Sequence, residues 1–235
     1  MSHSSQAILA IAFDLDGTLI DSAADIEHAL LVALSGADFI KFDPGDLTLA
    51  HIRTWVGSGP DGLIKNALIH LGYPESSEVQ LENLRITYDQ AALLAPLDFG
   101  AIFTGIESLL ETLQEQLPLL VVTNKPTKLA NAVLKAANLL PFFSSIYGAD
   151  RPSLRKPLPT MLLQGAADLG ISPQRLLMVG DSQVDLDSAE AAGCQAIFVN
   201  WGYGQAHNST KAGHNIKVSS AEALLTALLL KSSPT

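Results

Sequence analysis

The sequence is short of charge: Asp, Glu, Lys and Arg make up only 16% of its 235 residues, against roughly a quarter in an average globular protein. Cations are the scarcer sign, with 14 Lys and Arg against 24 Asp and Glu, for a formal net charge of -10. That balance argues against a nucleic-acid or anionic-membrane partner, because both are held mainly by basic surface. Cysteine occurs once, as Cys194, which excludes an internal disulfide and fits a reducing compartment. In its small-residue context it reads as a buried hydrophobe rather than a reactive thiol. No apolar run approaches the roughly 20 residues of a membrane span, Leu-rich Ala223–Leu230 included. Met1–Gln6 lacks the basic region of a signal peptide, and the apolar run after it stops at Asp14. None of the six histidines falls in a paired metal-ligand spacing. These absences predict a cytoplasmic, soluble protein, monomeric or a small homo-oligomer. With 48% hydrophobic residues it can fill a sizeable core, which excludes overall disorder.

What is present is a rhythm of short apolar runs followed by helical periodicity. Ala7–Phe13, Leu117–Val122, Leu176–Val179 and Ala196–Val199 read as strands buried on both faces of a parallel sheet. Helical segments are expected over Thr127–Asn138, Pro159–Leu169, Asp185–Ala192 and Ala221–Leu230. The alternation predicts an α/β fold with a doubly wound parallel sheet. It is interrupted between Ser22 and Ala95, where only amphipathic segments occur, near Ala23–Leu34, Gly62–Leu71 and Val79–Leu94. Residues 22–95 are therefore expected to form a small helical cap domain inserted into a core made of residues 1–21 and 96–235. Ser22 and Asp25 suggest a capping box at the first cap helix.

Three expected strands run into polar residues: Phe13 into Asp14-Leu15-Asp16-Gly17-Thr18, Val122 into Thr123-Asn124-Lys125, and Val179 into Gly180-Asp181-Ser182. In an open α/β sheet the ligand crevice lies beyond the carboxyl ends of the strands, so these residues can converge. Asp14, Asp16, Asp181 and Asp185 would then crowd one crevice. Carboxylates so placed repel each other unless a cation sits among them, and an oxygen-only ligand set suits Mg²⁺. Thr123 adds a hydroxyl and Lys156 a compact cation suited to a phosphate oxygen. Together they describe phosphoryl transfer to an aspartate. An EF-hand reading of the first motif fails, because Leu19 and Asp25 stand where the loop needs Gly and Glu.

Asp14-Leu15-Asp16-Gly17-Thr18-Leu19, Thr123-Asn124, Lys156 before Pro157, and Gly180-Asp181-Ser182-x-x-Asp185 resemble the four motifs of the haloacid dehalogenase superfamily, in their usual order. The inserted helical segment resembles that superfamily's cap. Thr123-Asn124-Lys125-Pro126 and Trp55-Val56-Gly57-Ser58-Gly59 are most similar to phosphoglycolate phosphatases, whereas Pro96–Gly100 and Lys156-Pro157-Leu158-Pro159 depart from the usual hinge and lysine motifs. The resemblance implies that Asp14 is the nucleophile and Asp16 the general acid and base. It implies that Mg²⁺ is bound by Asp14, the Asp16 carbonyl and Asp181, with Asp185 behind them. Thr123, Asn124 and Lys156 would steady the phosphoryl oxygens. The second aspartate separates phosphatases from dehalogenases proper, which lack it.

Gly57-Ser58-Gly59-Pro60-Asp61-Gly62 matches a dinucleotide fingerprint by spacing, but Ala50–Trp55 is not a convincing strand before it. It reads equally as a plain turn or as a cap loop in which Gly57, Ser58 and Gly59 bind the non-phosphate end of a substrate. Arg53 and Lys65 flank that loop and are the expected contacts to a substrate carboxylate. The expected activity is Mg²⁺-dependent hydrolysis of a small phosphorylated metabolite, 2-phosphoglycolate first, a sugar or amino-sugar phosphate second. A non-catalytic phosphate-binding regulatory protein is the reading from another class. The cap holds 10 acidic and 4 basic residues; without its four candidate site aspartates the remainder is balanced. The negative charge thus marks a local need for a dication rather than a general bar to anionic ligands.

Overall fold

A computed structural model describes residues 7–204 and 216–232. Met1–Gln6, read above as lacking a signal sequence, lies outside the described residues. In chain order the elements are β1 (Ala10–Phe13), β2 (Ile20–Asp21), α1 (Ala23–Ser35), α2 (Leu49–Trp55), α3 (Gly59–His70), α4 (Glu78–Leu94), β3 (Ala101–Ile102), α5 (Ile106–Gln114), β4 (Leu119–Thr123), α6 (Thr127–Ala136), β5 (Ser145–Gly148), α7 (Thr160–Asp168), β6 (Leu176–Gly180), α8 (Gln183–Ala192), β7 (Gln195–Val199), β8 (Ile216–Val218) and α9 (Ala221–Ser232).

Six strands form one parallel sheet in the order β5-β4-β1-β6-β7-β8. Residues of β1 alternate between two layers, as the two-residue period of a strand requires. Ile11 and Phe13 pack with Leu109, Leu110 and Leu113 of α5, Val133 and Leu134 of α6, and Leu224 and Leu228 of α9. Ala10 and Ala12 face the opposite layer, built from Met161 and Leu162 of α7 and Leu186 and Ala189 of α8. Burial on both faces is why β1, β4 and β6 are apolar throughout. Cys194 belongs to the second layer, and burial pushes its thiol up to about 12, which keeps it inert.

Helices α1–α4 build a third core of their own around Leu30, Leu34, Ile52, Ile64, Leu68 and Leu84, which Leu129 of α6 also joins. The two crossings into this helical insertion pair with each other. β2 and β3 form an antiparallel two-residue ribbon, Ile20 opposite Ile102 and Asp21 opposite Ala101. At this junction the expected capping box is absent: Ser22 stands at the N-cap of α1 but makes no side-chain cap bond. Its hydroxyl donates to Asp16 instead, 2.5 Å away, and Asp25 accepts from the Phe99 amide at 2.9 Å. Tertiary partners at the crossing take both groups that a local cap would use. Among the described residues, no helix is long and apolar enough to cross a membrane.

Candidate active site

β1 lies between β4 and β6, and the chain winds toward β5 on one side and toward β7 and β8 on the other. The switch point is therefore at the carboxyl end of β1, where an open α/β sheet leaves its crevice. Asp14 is the first residue past that end, and its amide donates to the Val179 carbonyl at 2.9 Å. The chain then turns tightly, with the Leu19 and Ile20 amides both donating to the Leu15 carbonyl. Thr123 closes β4, Asp181 follows β6, and Asp185 sits in the first turn of α8.

Asp14, Asp181 and Asp185 are buried, and one carboxylate oxygen from each lies within 4.8 Å of the others. Burial raises Asp14 to about 7; the attraction of Lys156 offsets this only in part, and Asp185 and Asp181 add repulsion. Burial and the charge of Asp185 raise Asp181 to about 6, although the Tyr203 and Gly204 amides donate to it at 2.7 and 3.1 Å and Thr18 Oγ1 at 3.2 Å. Burial alone would lower Lys156, but Asp14 and Asp185 outweigh it and hold the ammonium charged. Lys156 Nζ donates to Asp185 at 2.6 Å and to the Val122 carbonyl at 2.8 Å. It also pairs with Asp14 Oδ1 at 2.8 Å, the one cation facing that carboxylate among the described contacts.

These observations fit a hard dication beside Asp14 and Asp181. Three buried carboxylates converge on one another, and the single Lys156 ammonium does not compensate them, so Asp14 and Asp181 keep raised pKa values for want of further positive charge. Gly202 packs so tightly on Asp181 and the Gly17 carbonyl that a Cβ there would overlap both. Asp185 differs from the other two: Lys156 occupies one oxygen, and the Ser182 amide and hydroxyl, at 3.0 and 2.5 Å, occupy the other. Its role in this geometry is to hold Lys156. The Asp16 carboxylate lies outside the acidic cluster. Lys125 Nζ donates to both of its oxygens at 2.8 Å, leaving its backbone carbonyl for the metal role the resemblance implies.

Above the strand ends, Asp14, Asp16, Thr123, Asn124 and Lys125 of the core face Gly57, Gly59 and the apolar Ile26, Trp55, Leu63 and Tyr88 of the cap across a small pocket. Asn124 is the joint. Its Nδ2 donates to the Gly57 carbonyl at 2.8 Å and to the Lys156 carbonyl at 3.0 Å, and its Oδ1 accepts from the Lys156 amide at 2.8 Å. Gly59 has φ +71°, and a Cβ there would come within 3.1 Å of the Asn124 carbonyl. A left-handed backbone and a close approach both require glycine at that position. A second cap-to-core contact lies beside it, where Asp61 of α3 accepts from both Arg85 of α4 and Arg155 of the core.

Three cap residues singled out in the sequence stand elsewhere. Ser58 donates to the Trp55 carbonyl at 2.6 Å and does not line the pocket. Arg53 lies 3.7 Å from Asp21 and 5.7 Å over the Tyr203 ring, outside the pocket wall. Lys65 borders a separate surface hollow with Ile69, Tyr73 and Pro74. Neither cation lines the pocket: Arg53 reaches to Asp21 and Tyr203 of the core, and Lys65 to the separate hollow. Conversely, Lys125 is the one cationic side chain lining the pocket among the described residues. Two signals could have found more of the site: a lysine directly after Thr123-Asn124, and the Gly202-x-Gly204 pair just past the end of β7, a position where backbone approaches a ligand or an acid.

A parallel sheet with buried acids and a lysine at its switch point, under a helical cap, is the frame of an α/β enzyme. The chain belongs to the haloacid dehalogenase-like hydrolase family, whose model matches residues 11–199. With the second aspartate, Asp16, in place, it falls among that family's phosphatases. It is 34% identical over 216 residues to the phosphoglycolate phosphatases of Shigella boydii and Escherichia coli K12, covering 83% of this chain and 82% of each relative. The crystal structure of a predicted phosphoglycolate phosphatase from Haemophilus somnus superposes with a TM-score of 0.78 at 26% identity, over 96% of this chain and 98% of that one.

Proposed function

We propose that the protein is a Mg²⁺-dependent phosphomonoesterase that converts 2-phosphoglycolate to glycolate and phosphate through an aspartyl-phosphate on Asp14. The observation that carries this reading is the Asp14 carboxylate itself: buried at the switch point, beside two further acids and the Lys156 ammonium, on the wall of a cap-covered pocket. The relatives' names supply the substrate. Asp14, Asp181 and the Asp16 carbonyl would hold Mg²⁺, which when bound offsets the charge of the acids and of the incoming phosphate.

The residues of the chain divide the work. Lys156, fixed by Asp185 and the Val122 carbonyl, holds a phosphoryl oxygen with the Thr123 hydroxyl. Asp14 attacks phosphorus; the P–O ester bond breaks as the new P–O bond to Asp14 forms. Asp16 delivers a proton to the departing alkoxide, then takes one from the water that attacks the aspartyl-phosphate. General acid–base assistance of this kind contributes typically about 10²- to 10⁴-fold. The apolar cap wall of Ile26, Trp55, Leu63 and Tyr88 excludes bulk water from the pocket and favours a short substrate. Its partner is thus a small phosphorylated metabolite, and the reading requires no nucleic acid or membrane.

Steady-state phosphate release from 2-phosphoglycolate, hexose phosphates and amino-sugar phosphates tests the assignment. The expected result is the highest kcat/KM for 2-phosphoglycolate, loss of turnover with EDTA, and a loss of at least about 10³-fold in Asp14→Asn, as for removal of a nucleophile. Preference for a sugar phosphate would move the substrate. Single-turnover phosphate release by the wild type would point to a regulatory protein, and full activity of Asp14→Asn would remove the mechanism.

A further inference from the structure

Asp16 does its work as a carboxyl group on the pocket wall, and the structure shows what aims it there. Lys125 Nζ lies 2.8 Å from both oxygens, and Ser22 Oγ donates to Oδ1 at 2.5 Å. Lys125 and Asp16 expose only 7% and 10% of their side chains, so the contact is largely desolvated on the protein side. The lysine is itself fixed at its backbone: its amide donates to Thr123 Oγ1 at 3.1 Å and its carbonyl accepts from the Ala149 amide at 3.2 Å. The two donors come from opposite sides. Lys125 lies just past β4, and Ser22 lies at the crossing into the cap, one residue before α1.

We infer that Lys125 is a positioning residue which, with Ser22, holds the Asp16 carboxyl in the orientation that serves the leaving oxygen. This rests on the phosphatase reading above and adds to it a division of labour between the two lysines. Lys156 bonds to Asp185 and neighbours Asp14, on the phosphoryl side. Lys125 bonds to Asp16, on the leaving-group side. A side chain with three donors and one flexible stem suits this better than a substrate contact would, because two of its bonds are already committed to the carboxylate. Ser22 extends the arrangement to the cap: a cap that shifts α1 also shifts one of the hydrogen bonds that aim Asp16.

A positioning role makes a demand that a substrate-binding or structural role does not. Loss of a well-aimed acid harms esters with poor leaving groups far more than esters whose leaving group departs without a proton. The value of kcat/KM reports the steps through cleavage of the ester bond, and so isolates this effect from breakdown of the aspartyl-phosphate. The experiment compares kcat/KM of the wild type, Lys125→Met, Ser22→Ala and Asp16→Asn, with Mg²⁺ present, for 2-phosphoglycolate and for p-nitrophenyl phosphate. Lys125→Met is expected to lose about 10- to 100-fold on 2-phosphoglycolate, within the range that acid–base assistance supplies, and no more than about 3-fold on the aryl ester. Ser22→Ala should show the same selectivity with a smaller loss, and it carries the test if Lys125→Met does not fold. Equal losses on both esters in both variants would overturn the inference and make Lys125 a substrate ligand or a structural ion pair. Asp16→Asn separates the two levels: if it too loses equally on both esters, the acid role in the underlying reading has failed, whatever Lys125 does.

Discussion

Asp181 shows how one side chain can be costly alone and useful with a partner. Three donors reach it, yet burial and Asp185 still raise it to about 6, and Asp14 rises to about 7. Both carboxyls bind a proton more tightly folded than unfolded. The metal-free protein therefore loses stability as pH rises from about 4 through those two values. Asn in place of Asp181 keeps the shape, and the Thr18 hydroxyl can turn to accept from the new amide. At pH 8 without metal, Asp181→Asn is expected to melt at or above the wild-type temperature. Mg²⁺ should raise the wild-type Tm, by an amount equivalent to about 2.7 kcal/mol at 100 times Kd, and leave the variant's unchanged. Differential scanning fluorimetry with Mg²⁺ or EDTA reads both, and an equal Mg²⁺ shift in the two proteins would place the ion elsewhere. At this scale the strand-end aspartates were legible because a charged residue directly after a buried apolar run must face the crevice. For Arg53 and Lys65, proximity to the glycine loop along the chain does not say whether either lines the pocket, and neither does. Ser22 was misread because a local capping pattern competes with tertiary acceptors that leave no mark in the sequence.

Between residues and the whole lies the loop joining α2 to α3, which touches the core through Asn124. Gly57 and Gly59 both have positive φ, but only Gly59 would meet the core if it carried a Cβ; Gly57 has nothing within 4 Å. Gly57→Ala should therefore cost only the backbone term, about 1–2 kcal/mol. Gly59→Ala should cost that and also push on Asn124, whose side chain positions the Lys156 backbone. The expected outcome is destabilisation in urea by both, at least as large for Gly59→Ala, with a clear fall in kcat for Gly59→Ala alone. Equal kinetic effects would mean that the contact does not reach the site. The buried strands were readable, since a strand covered on both faces is apolar at every position. β2 and β3 were not, being two residues long and defined only by each other, and β5 begins and ends with small residues, Ser145 and Gly148, at the sheet edge. α5 is a different case: Ile106, Leu109, Leu110 and Leu113 have full helical spacing, so its signal was present in the sequence.

For the molecule as a whole, the question is what holds cap and core together over the pocket. Asp61 answers much of it, accepting from Arg85 within the cap and from Arg155 across the cleft. It also shows why part of the cap's acidic excess is not a surplus. Burial alone would raise Asp61, but the two guanidinium groups outweigh it and hold the carboxyl below its usual range. A depressed carboxyl contributes stability that is present at neutral pH and is lost as pH falls through its folded value. Asp61→Asn should therefore melt below the wild type at pH 7, and the gap should close as pH drops below about 4. A gap that stays constant with pH would assign the loss to packing rather than to charge.

The cap's insertion directly after β1 also has a consequence in time. Every partner of β1 in the sheet comes late: Leu119–Val121 of β4 on one side, Leu176–Val179 of β6 on the other. The cap helices, by contrast, find most of their contacts among themselves. As the chain leaves the ribosome, a fully buried central strand of the sheet is made first and waits through the whole cap before β4 can cover one edge. Asp14 and Asp16, which follow directly on that strand, give the waiting segment the charge that limits its pairing with another unfinished chain.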